Sequence, residues 1–370
     1  MCAWQMLMRA HGPRQRRRAP PDSFAKGESH LYLLSMTGID DSFQGTPVLP
    51  PTPEGLARAG ALLRAGQLVA FPTETVYGLG ADAANAEAVA AIYAAKERPR
   101  FNPLIAHYPD VADALRHGRF EADALRLAQA FWPGPLTLVV PRGADCPVCD
   151  LASAGLDSVA MRVPSHPVAR ALLRAAATPV AAPSANRSGR VSPTVAAHVL
   201  ADLDGRIAAV IDGGETNVGV ESTIVSCLGD RPVLLRPGGV TREALEAVLG
   251  HAVADAPAQH DDPDSGAPVA PGQLASHYAP RAQVRLDAHD IRPGEAALLF
   301  GQPLPGTEHA AACVNLSATG DLAQAAARLF SSLRALDRPD VTTIAIAPIP
   351  DTGLGEAIND RLRRAAAPRS

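Results

Sequence analysis

Short loops that carry hydroxyl groups and carboxylates follow several apolar segments of this chain. The sequence Thr73-Glu74-Thr75 follows the apolar run of residues 68–71, with only Pro72 between them. In the same way, Pro183-Ser184-Ala185-Asn186 follows the apolar residues 180–182. Because open α/β sheets bind their ligands beyond the carboxyl ends of strands, such loops are candidate ligand contacts. Each loop taken alone also fits an ordinary turn.

Further loops add glycine and positive charge. Residues 212–214 (Asp-Gly-Gly) and 219–223 (Gly-Val-Glu-Ser-Thr) form glycine-rich turns whose backbone N–H groups could hold an anion. Arg236 ends another apolar segment and is followed by Pro-Gly-Gly. The recurrence of such loops at strand ends favours one shared site for an anionic ligand over separate accidents.

Basic residues occur at positions where they could bind such an anion. Lys96 and Arg98 are separated by one residue and precede Asn102, so two positive heads and an amide could face one polyanion. A solvated helix end is the alternative, since basic side chains favour C-terminal turns. Arg162 lies in the apolar segment 158–163, where a charge needs a partner. That partner is either an internal carboxylate or an anionic ligand.

Common catalytic motifs are missing from the sequence. There is no G-x-x-x-x-G-K-[ST], so an ATP site here could not be a P-loop, and there is no H-E-x-x-H or G-x-S-x-G. Cys146 and Cys149 have redox or half-zinc spacing, but a second cysteine pair is missing and the predicted context is a loop. We interpret them as incidental, and no residue is predicted as a metal ligand.

Composition and charge limit the class of protein. With 370 residues, 47% hydrophobic and 19% charged, the chain suits a globular protein of two domains. The formal net charge of -4 provides no overall basic field for non-specific nucleic-acid binding. No apolar run approaches the roughly 20 residues of a membrane helix. The odd count of five cysteines, without a disulfide framework, suits a reducing cytoplasm.

Apolar periodicity alternates between strand and helix over residues 50–250, which predicts one α/β domain with a mixed sheet. Strands are predicted at 68–71, 104–108, 136–140, 158–163, 180–182, 207–211, 223–227 and 233–235. Helices are predicted at 53–66, 86–96, 122–131, 166–176, 193–202 and 241–249. Pro72 is expected to end the first strand, because proline has no N–H to donate. Gly78 and Gly80 are expected in a bend or a close backbone approach.

A second, smaller unit follows a segment with linker composition. Strands predicted at 284–286, 296–300, 313–316 and 341–347 alternate with helices at 322–336 and 355–366, which indicates a small parallel Rossmann-like sheet. No G-x-G-x-x-G follows its first strand, so no dinucleotide is assigned to it. The predicted divisions are a disordered extension (1–50), a catalytic domain (51–250), a linker (251–282) and a C-terminal domain (283–370). Met36 is a candidate start.

Several motifs in series resemble one known family. P-T-E-T-V-Y-G-L, K-x-R-x-x-x-N-P-L, W-P-G-P-L-T, P-S-A-N and D-G-G with G-V-E-S-T-I occur in the order found in the YrdC/Sua5 family. The match covers about residues 52–249. The A-P-G-x-x-x-x-H-Y-A-P segment at 270–280 and the trailing domain are similar to the long, Sua5-type form. The resemblance implies a YrdC-like domain with a twisted mixed sheet.

The resemblance also implies an activity. Members make L-threonylcarbamoyl-adenylate and pyrophosphate from L-threonine, bicarbonate or CO2 and ATP with Mg2+, which feeds the t6A modification at position 37 of tRNAs that read ANN codons. Downstream tRNA threonylcarbamoyltransferase machinery would be the partner, and direct tRNA binding stays open. The threonine contacts then fall on Thr75, His107, Arg162, Ala182 and Ser222. The ATP contacts fall on Arg98, Asn102, Ser158, Ser184, Ser192 and Arg236, with Lys96 and Arg98 as catalytic residues.

One departure from the family pattern lies in the 270–280 segment. Many relatives have aromatic and basic residues between its glycine and histidine, where this chain has Gln-Leu-Ala-Ser at 273–276. An ATP contact supplied there by a tyrosine in some relatives is therefore in question, and His277 or Tyr278 is a candidate replacement. Two other functions remain alternatives: a double-stranded RNA binder, and a carbamoyl-transfer domain like those of hydrogenase maturation proteins.

Overall fold

The computed structural model describes residues 45–98, 102–256 and 277–368. Within these ranges the chain builds a large mixed sheet with helices and then a small parallel sheet with its own helices. The predictions for residues 1–44, including Met36, lie outside the described residues, as do those for 257–276 of the predicted linker. Among the described residues, none of the helices has the length and hydropathy that a membrane span requires.

The strands of the large sheet lie mostly where the apolar runs predict them. They are β1 (Val48–Leu49), β2 (Val69–Pro72), β3 (Tyr77–Asp82), β4 (Ile105–His107), β5 (Leu136–Pro141), β6 (Ser158–Arg162), β7 (Val180–Ala181), β8 (Ala209–Ile211), β9 (Thr223–Ser226), β10 (Val233–Arg236) and β11 (Ala254–Asp255). Across the described part of the sheet their order is β1-β8-β2-β3-β7-β4-β6-β5-β9-β10-β11. Parallel and antiparallel pairs both occur, so the predicted mixed sheet is confirmed.

Two short edge strands lie beyond the predicted domain limits. β1 pairs in parallel with β8, and β11 pairs in parallel with β10. The sheet therefore begins before residue 51 and continues past residue 250, so disorder predicted for residues 1–50 does not hold for β1. A two-residue strand has no alternating pattern, which is why apolar periodicity did not reveal either of them.

The segment after β2 is a hairpin, in which the expected bend is a short turn and the two glycines lie in the returning strand. Pro72 is the last residue of β2 and lies opposite Tyr77 in the antiparallel register with β3. Gly78 and Gly80 lie inside β3. A Cβ on Gly80 would lie 2.8 Å from the ring of Phe71, so the glycine permits a close approach of the two strands. The turn itself is limited to residues 73–76.

Helices α1 to α7 cover the large sheet and match the predicted helices with one addition. Their bounds are α1 (Pro53–Arg64), α2 (Ala86–Lys96), α3 (Val111–His117), α4 (Ala122–Phe131), α5 (Pro167–Ala176), α6 (Ala196–Leu203) and α7 (Arg242–Leu249). Helix α3 was not predicted, because only Ala114 of its residues is buried and no apolar stripe marks it. Helix α6 begins later than predicted, because Pro193 runs along β3 and its carbonyl accepts the Tyr77 N–H at 2.9 Å.

The small domain confirms the predicted parallel sheet. Its strands are β12 (Gln283–Arg285), β13 (Ala296–Leu299), β14 (Ala312–Asn315) and β15 (Thr343–Ile346), in the order β12-β15-β13-β14 with every pair parallel. A 3-10 turn spans Thr307–His309, and the helices are α8 (Leu322–Leu336) and α9 (Leu354–Ala366). Helices α8 and α9 pack their buried faces on this sheet.

Candidate functional site

A pocket lies over the large sheet where the hairpin turn, β4, β6 and the loops around β7 and β9 meet. Parallel pairing of β4 with β6 places His107 opposite Arg162. β7 runs antiparallel to β4, so the loop that follows β7 lies beside the beginning of β4. The pocket therefore lies on a face of the sheet and is lined by loops from strands that run in both directions. Its lining is Thr75, Val76, Arg98, Ile105, His107, Arg162, Ala182, Pro183, Ser184, Glu221, Ser222, Arg236, His277 and Tyr278.

Arg162 and Glu74 form a buried ion pair at one end of the pocket. Arg162 Nη2 lies 2.8 Å from Glu74 Oε1, and Glu74 Oε2 accepts the Ser165 N–H at 3.1 Å. Although burial alone would raise the pKa of Glu74, Arg162 holds that pKa below its ordinary value. The internal-carboxylate alternative for Arg162 is thus realised, while its guanidinium still lines the pocket. Within the described residues its Nε has no hydrogen-bond partner.

His107 beside this ion pair is neutral. Its Nδ1 lies 3.0 Å from the Ile105 carbonyl oxygen, which can only accept, so Nδ1 carries the proton. Burial, together with the neighbouring Arg162, lowers the pKa of His107 to about 3. The positive charge at this end of the pocket is therefore that of Arg162.

Hydroxyl groups line the wall between the two ends. Thr75 Oγ1 is 2.8 Å from Thr73 Oγ1, which stabilises the hairpin turn. Ser222 Oγ is 2.8 Å from Thr137 Oγ1 and also accepts from Arg236 Nη2 at 3.2 Å. These contacts leave both pocket hydroxyls fixed in position, which suits hydrogen bonding to a small polar ligand.

Arg98 and Arg236 bring two buried guanidinium groups to the pocket. Arg236 donates through Nε and Nη2 to the Ser222 carbonyl oxygen, at 3.1 and 2.8 Å. Arg98 reaches only the Pro103 carbonyl, at 3.4 Å, and its Nε has no partner within the described residues. Burial, with Arg236 nearby, lowers the pKa of Arg98 to about 10, so it stays charged at neutral pH. A buried cation as weakly satisfied as Arg98 is suited to an anionic ligand.

Three predicted residues lie behind the pocket wall and do not line it. Lys96 is buried and donates to the carbonyls of Ser184 and Asn186, so it fixes the loop that follows β7. Ser192 Oγ donates to Glu221 Oε1 at 2.5 Å. Asn102 is fully buried, and its side-chain nitrogen and oxygen have no partner within the described residues.

Ser158 lies at the far end of β6. Side chains alternate along a strand, so Ser158, Ala160 and Arg162 share one face. Ser158 and Arg162 are four positions apart along the strand, which corresponds to about 13 Å. Between them, a small apolar cluster contains Ile105, Val139, Ala160, Ile224 and Leu235. This face therefore carries a hydroxyl at one end, buried apolar side chains in the middle and a cation at the other end.

Glu74 and Glu221 lie in loops that the sequence predicts as candidate ligand contacts, but no role was assigned to either carboxylate. Each is a carboxylate in a loop of small and hydroxyl residues, and each is paired to a buried arginine. A single carboxylate in such a loop was the sequence signal that could have indicated a buried ion pair at the site. His277 and Tyr278, left open as replacements for a missing aromatic contact, both line the pocket.

The described residues do not build a metal cage. No group of three histidine, cysteine or acidic side chains lies close enough to hold an ion within these ranges. The carboxylates of Glu74 and Glu221 already form ion pairs with Arg162 and Arg361. A divalent cation would therefore enter this pocket with a phosphate ligand, since Mg2+ commonly uses substrate phosphates and water.

Comparison with known proteins decides the family. The model for Sua5, YciO and YrdC proteins, described as telomere recombination, matches residues 61–238. The Sua5 C-terminal model, described as the threonylcarbamoyl-AMP synthase C-terminal domain, matches residues 240–367. The threonylcarbamoyl-AMP synthase of Bacillus subtilis is 43% identical over 85% of this chain and 93% of its own length. The chain belongs to the Sua5 family.

Solved structures place it with the long Sua5 proteins. The crystal structure of Pyrococcus abyssi Sua5 complexed with L-threonine has a TM-score of 0.79 and 37% identity, covering 87% of this chain and 98% of that one. A second structure of that protein, in which a histidine and the adjacent tyrosine are replaced by alanine, has a TM-score of 0.77, with 36% identity over 87% of this chain and 96% of that one. A shorter relative, the putative threonylcarbamoyl-AMP synthase of Mycobacterium tuberculosis, is 40% identical over 53% of this chain and 89% of its own length.

Proposed function

We propose that the pocket binds L-threonine and ATP side by side and joins them, through bicarbonate or CO2, into L-threonylcarbamoyl-adenylate with release of pyrophosphate. The observation that carries this proposal is a single pocket with Arg162 and His107 at one end and Arg98 with Arg236 on its wall. The family membership supports the same reaction. Because these cations are buried, the pocket suits a small anion better than an RNA backbone.

Threonine fits the end formed by Arg162. Its carboxylate would pair with the guanidinium, which has donor capacity beyond Glu74. Its side-chain hydroxyl would reach Thr75 or Ser222, both of which line the pocket, with Ala182 beside them. Neutral His107 adds no second charge that would bind a further anion in place of the carboxylate.

ATP fits along the remaining surface. Arg98 and Arg236 would face phosphate oxygens, and Ser184 lines the same pocket. The apolar face of β4, β6 and β10 would contact the adenosine, with Ser158 at its far end. Asn102 and Ser192 would act from behind the wall, Asn102 because its buried amide is unsatisfied within the described residues. Mg2+ would arrive with the triphosphate.

The reaction balances with the groups present. The threonine amine first takes up bicarbonate, losing water, or CO2, losing a proton, to give a carbamate. A carbamate oxygen then attacks the α-phosphorus of ATP in line, and pyrophosphate leaves. Positioning and charge neutralisation should dominate the rate, as in other phosphoryl and nucleotidyl transfers. Lys96, predicted as catalytic, would act by holding the loop that carries Ser184.

The product would supply the threonylcarbamoyl group of t6A at position 37 of tRNAs reading ANN codons, through a separate transferase machinery. The four cysteines within the described residues are all free, which supports a reducing compartment such as the cytoplasm. The test is pyrophosphate release with ATP, threonine and bicarbonate, and with each omitted in turn. Release that continues without threonine would contradict the proposal.

A further inference from the structure

Three loops of the catalytic domain pack into the core of the small domain directly beside the pocket. Val76, Val191 and Val220 belong to the same buried apolar cluster as Leu329 and Phe330 of α8. Each valine adjoins in sequence a residue of the pocket or one of its partners, namely Thr75, Ser192 and Glu221. The small domain therefore contacts the backbone segments from which the substrate-binding side chains project.

Arg361 of α9 carries this contact to the pocket itself. Its side chain is 0% exposed, and its Nε donates to Glu221 Oε2 at 2.8 Å. Its guanidinium lies 5.3 Å from the ring centroid of Tyr278. Glu221 lines the pocket and accepts from Ser192 at its other oxygen. One ion pair thus separates the small domain from the substrate pocket.

Glu221 is a negative charge in a pocket suited to a polyanion. It lies close enough to Arg236 for that guanidinium, after Arg361, to hold its pKa below the ordinary value although burial alone would raise it. Without Arg361, the carboxylate would be left to pair with Arg236 or to face the phosphates directly. The first arrangement would occupy a cation that the phosphates need, and the second would place like charges together, so both would oppose binding of a nucleoside triphosphate.

We propose that Arg361 is a positioning residue of the catalytic site, which keeps Glu221 paired so that Arg98 and Arg236 remain available to the phosphates of ATP. The small domain is then part of the ATP site through one side chain, in addition to its packing. This inference rests on the proposed function, because it assigns ATP to the pocket.

The test compares Arg361→Met, Arg361→Lys and the double variant Glu221→Gln/Arg361→Met by titration calorimetry with ATP and, separately, with threonine. Arg361→Met should weaken ATP binding about tenfold or more, since it exposes the phosphates to an unpaired carboxylate. Threonine binding should change by less than about threefold. The double variant removes both charges and should recover ATP binding to within about threefold of wild type, a recovery that a purely structural role does not produce. Arg361→Lys keeps a positive charge and should bind ATP more tightly than Arg361→Met but less tightly than wild type.

Glu356→Gln is the matched control. Glu356 also lies on α9 and forms an ion pair of 2.7 Å with Arg242 of the catalytic domain, but neither residue lines the pocket. The Glu356→Gln variant should bind ATP like wild type. The inference is overturned if Arg361→Met binds ATP normally, if the double variant is no better than the single one, or if Glu356→Gln is equally impaired. A wild-type protein that binds no ATP would overturn the proposed function as well. Should Arg361→Met fail to fold, the double variant and Arg361→Lys decide.

Discussion

At the residue scale, the pocket is distinguished by buried charges whose partners differ. Arg162 has an internal carboxylate in Glu74, whereas within the described ranges Arg98 reaches only a distant carbonyl. An arginine inside an apolar strand predicts a charged partner nearby, because a buried unpaired charge is costly. The partner itself is set by how the hairpin turn folds over β6, which no local pattern encodes. The sequence therefore predicts that Arg162 has a partner, but it does not predict that this partner is Glu74.

The choice of amino acid tests the threonine end. Serine satisfies the same polar contacts and lacks only a methyl group, which is worth about 10–200-fold in kcat/KM. Valine fills the volume but leaves the partner of the hydroxyl unpaired, a loss that can reach about 10⁴–10⁵-fold. Pyrophosphate release at saturating ATP and bicarbonate should therefore rank threonine first, serine next and valine last. Valine equal to serine would show that no buried group contacts the hydroxyl.

Substituting the two phosphate-facing arginines should have different effects. Arg98→Ala should weaken ATP binding by about 1.5–3 kcal/mol, the worth of a charge-assisted contact, and leave threonine binding nearly unchanged. Arg236→Ala should weaken both, because Arg236 also holds the backbone and hydroxyl of Ser222. Calorimetric titration with each substrate separates the two patterns. Equal losses of threonine binding in both variants would contradict this assignment.

At the element scale, strands and helices with strong apolar periodicity were predictable, and tertiary pairing decided the rest. Helices α4, α5 and α8 lie where their apolar stripes place them. β3 was not predicted as a strand, because its glycines are typical of turns or of close backbone approaches. Its antiparallel pairing with β2 overrides that preference, and the missing Cβ of Gly80 allows Phe71 to approach.

The loop that carries Gly219 shows how tightly the two domains contact each other. Gly219 has φ +74, and a Cβ there would lie 2.4 Å from backbone atoms of Ala326 and Ala327 in α8. Gly214 has φ +84 but open space around it, so it serves as the control for the backbone conformation alone. Gly214→Ala should cost about 1–2 kcal/mol in the free energy of unfolding. Gly219→Ala should cost clearly more in urea unfolding, and equal costs would contradict the close contact.

At the scale of the whole molecule, the small domain is joined to the catalytic domain by apolar packing and by buried ion pairs. Arg334 of α8 pairs with Asp202 at 2.7 Å, and Arg361 pairs with Glu221 at 2.8 Å. Composition indicated two units, but their mutual contacts join residues far apart in sequence. For that reason the motifs of the candidate site were recognisable from sequence, whereas the contribution of α9 to it was not.

Stability should fall as the pH drops below about 6.5. Burial lowers the pKa of His107 and of His277 to about 3. Between the ordinary value and this one the unfolded chain binds protons that the folded chain does not, so each histidine removes up to about 1.4 kcal/mol of stability per pH unit. Urea unfolding at pH 7.5, 6 and 5 measures this slope. His277→Gln should reduce it, and an unchanged slope would show that His277 does not titrate on unfolding.

The most direct test of the account is the product formed with ¹³C-labelled bicarbonate, threonine and ATP, measured by mass spectrometry. The account predicts threonylcarbamoyl-adenylate that carries the label, in amounts equal to the pyrophosphate released, and its loss in Arg162→Met but not in Glu356→Gln. Pyrophosphate without a labelled adenylate, or a labelled adenylate undiminished in Arg162→Met, would contradict the claim that threonine and ATP react in this pocket.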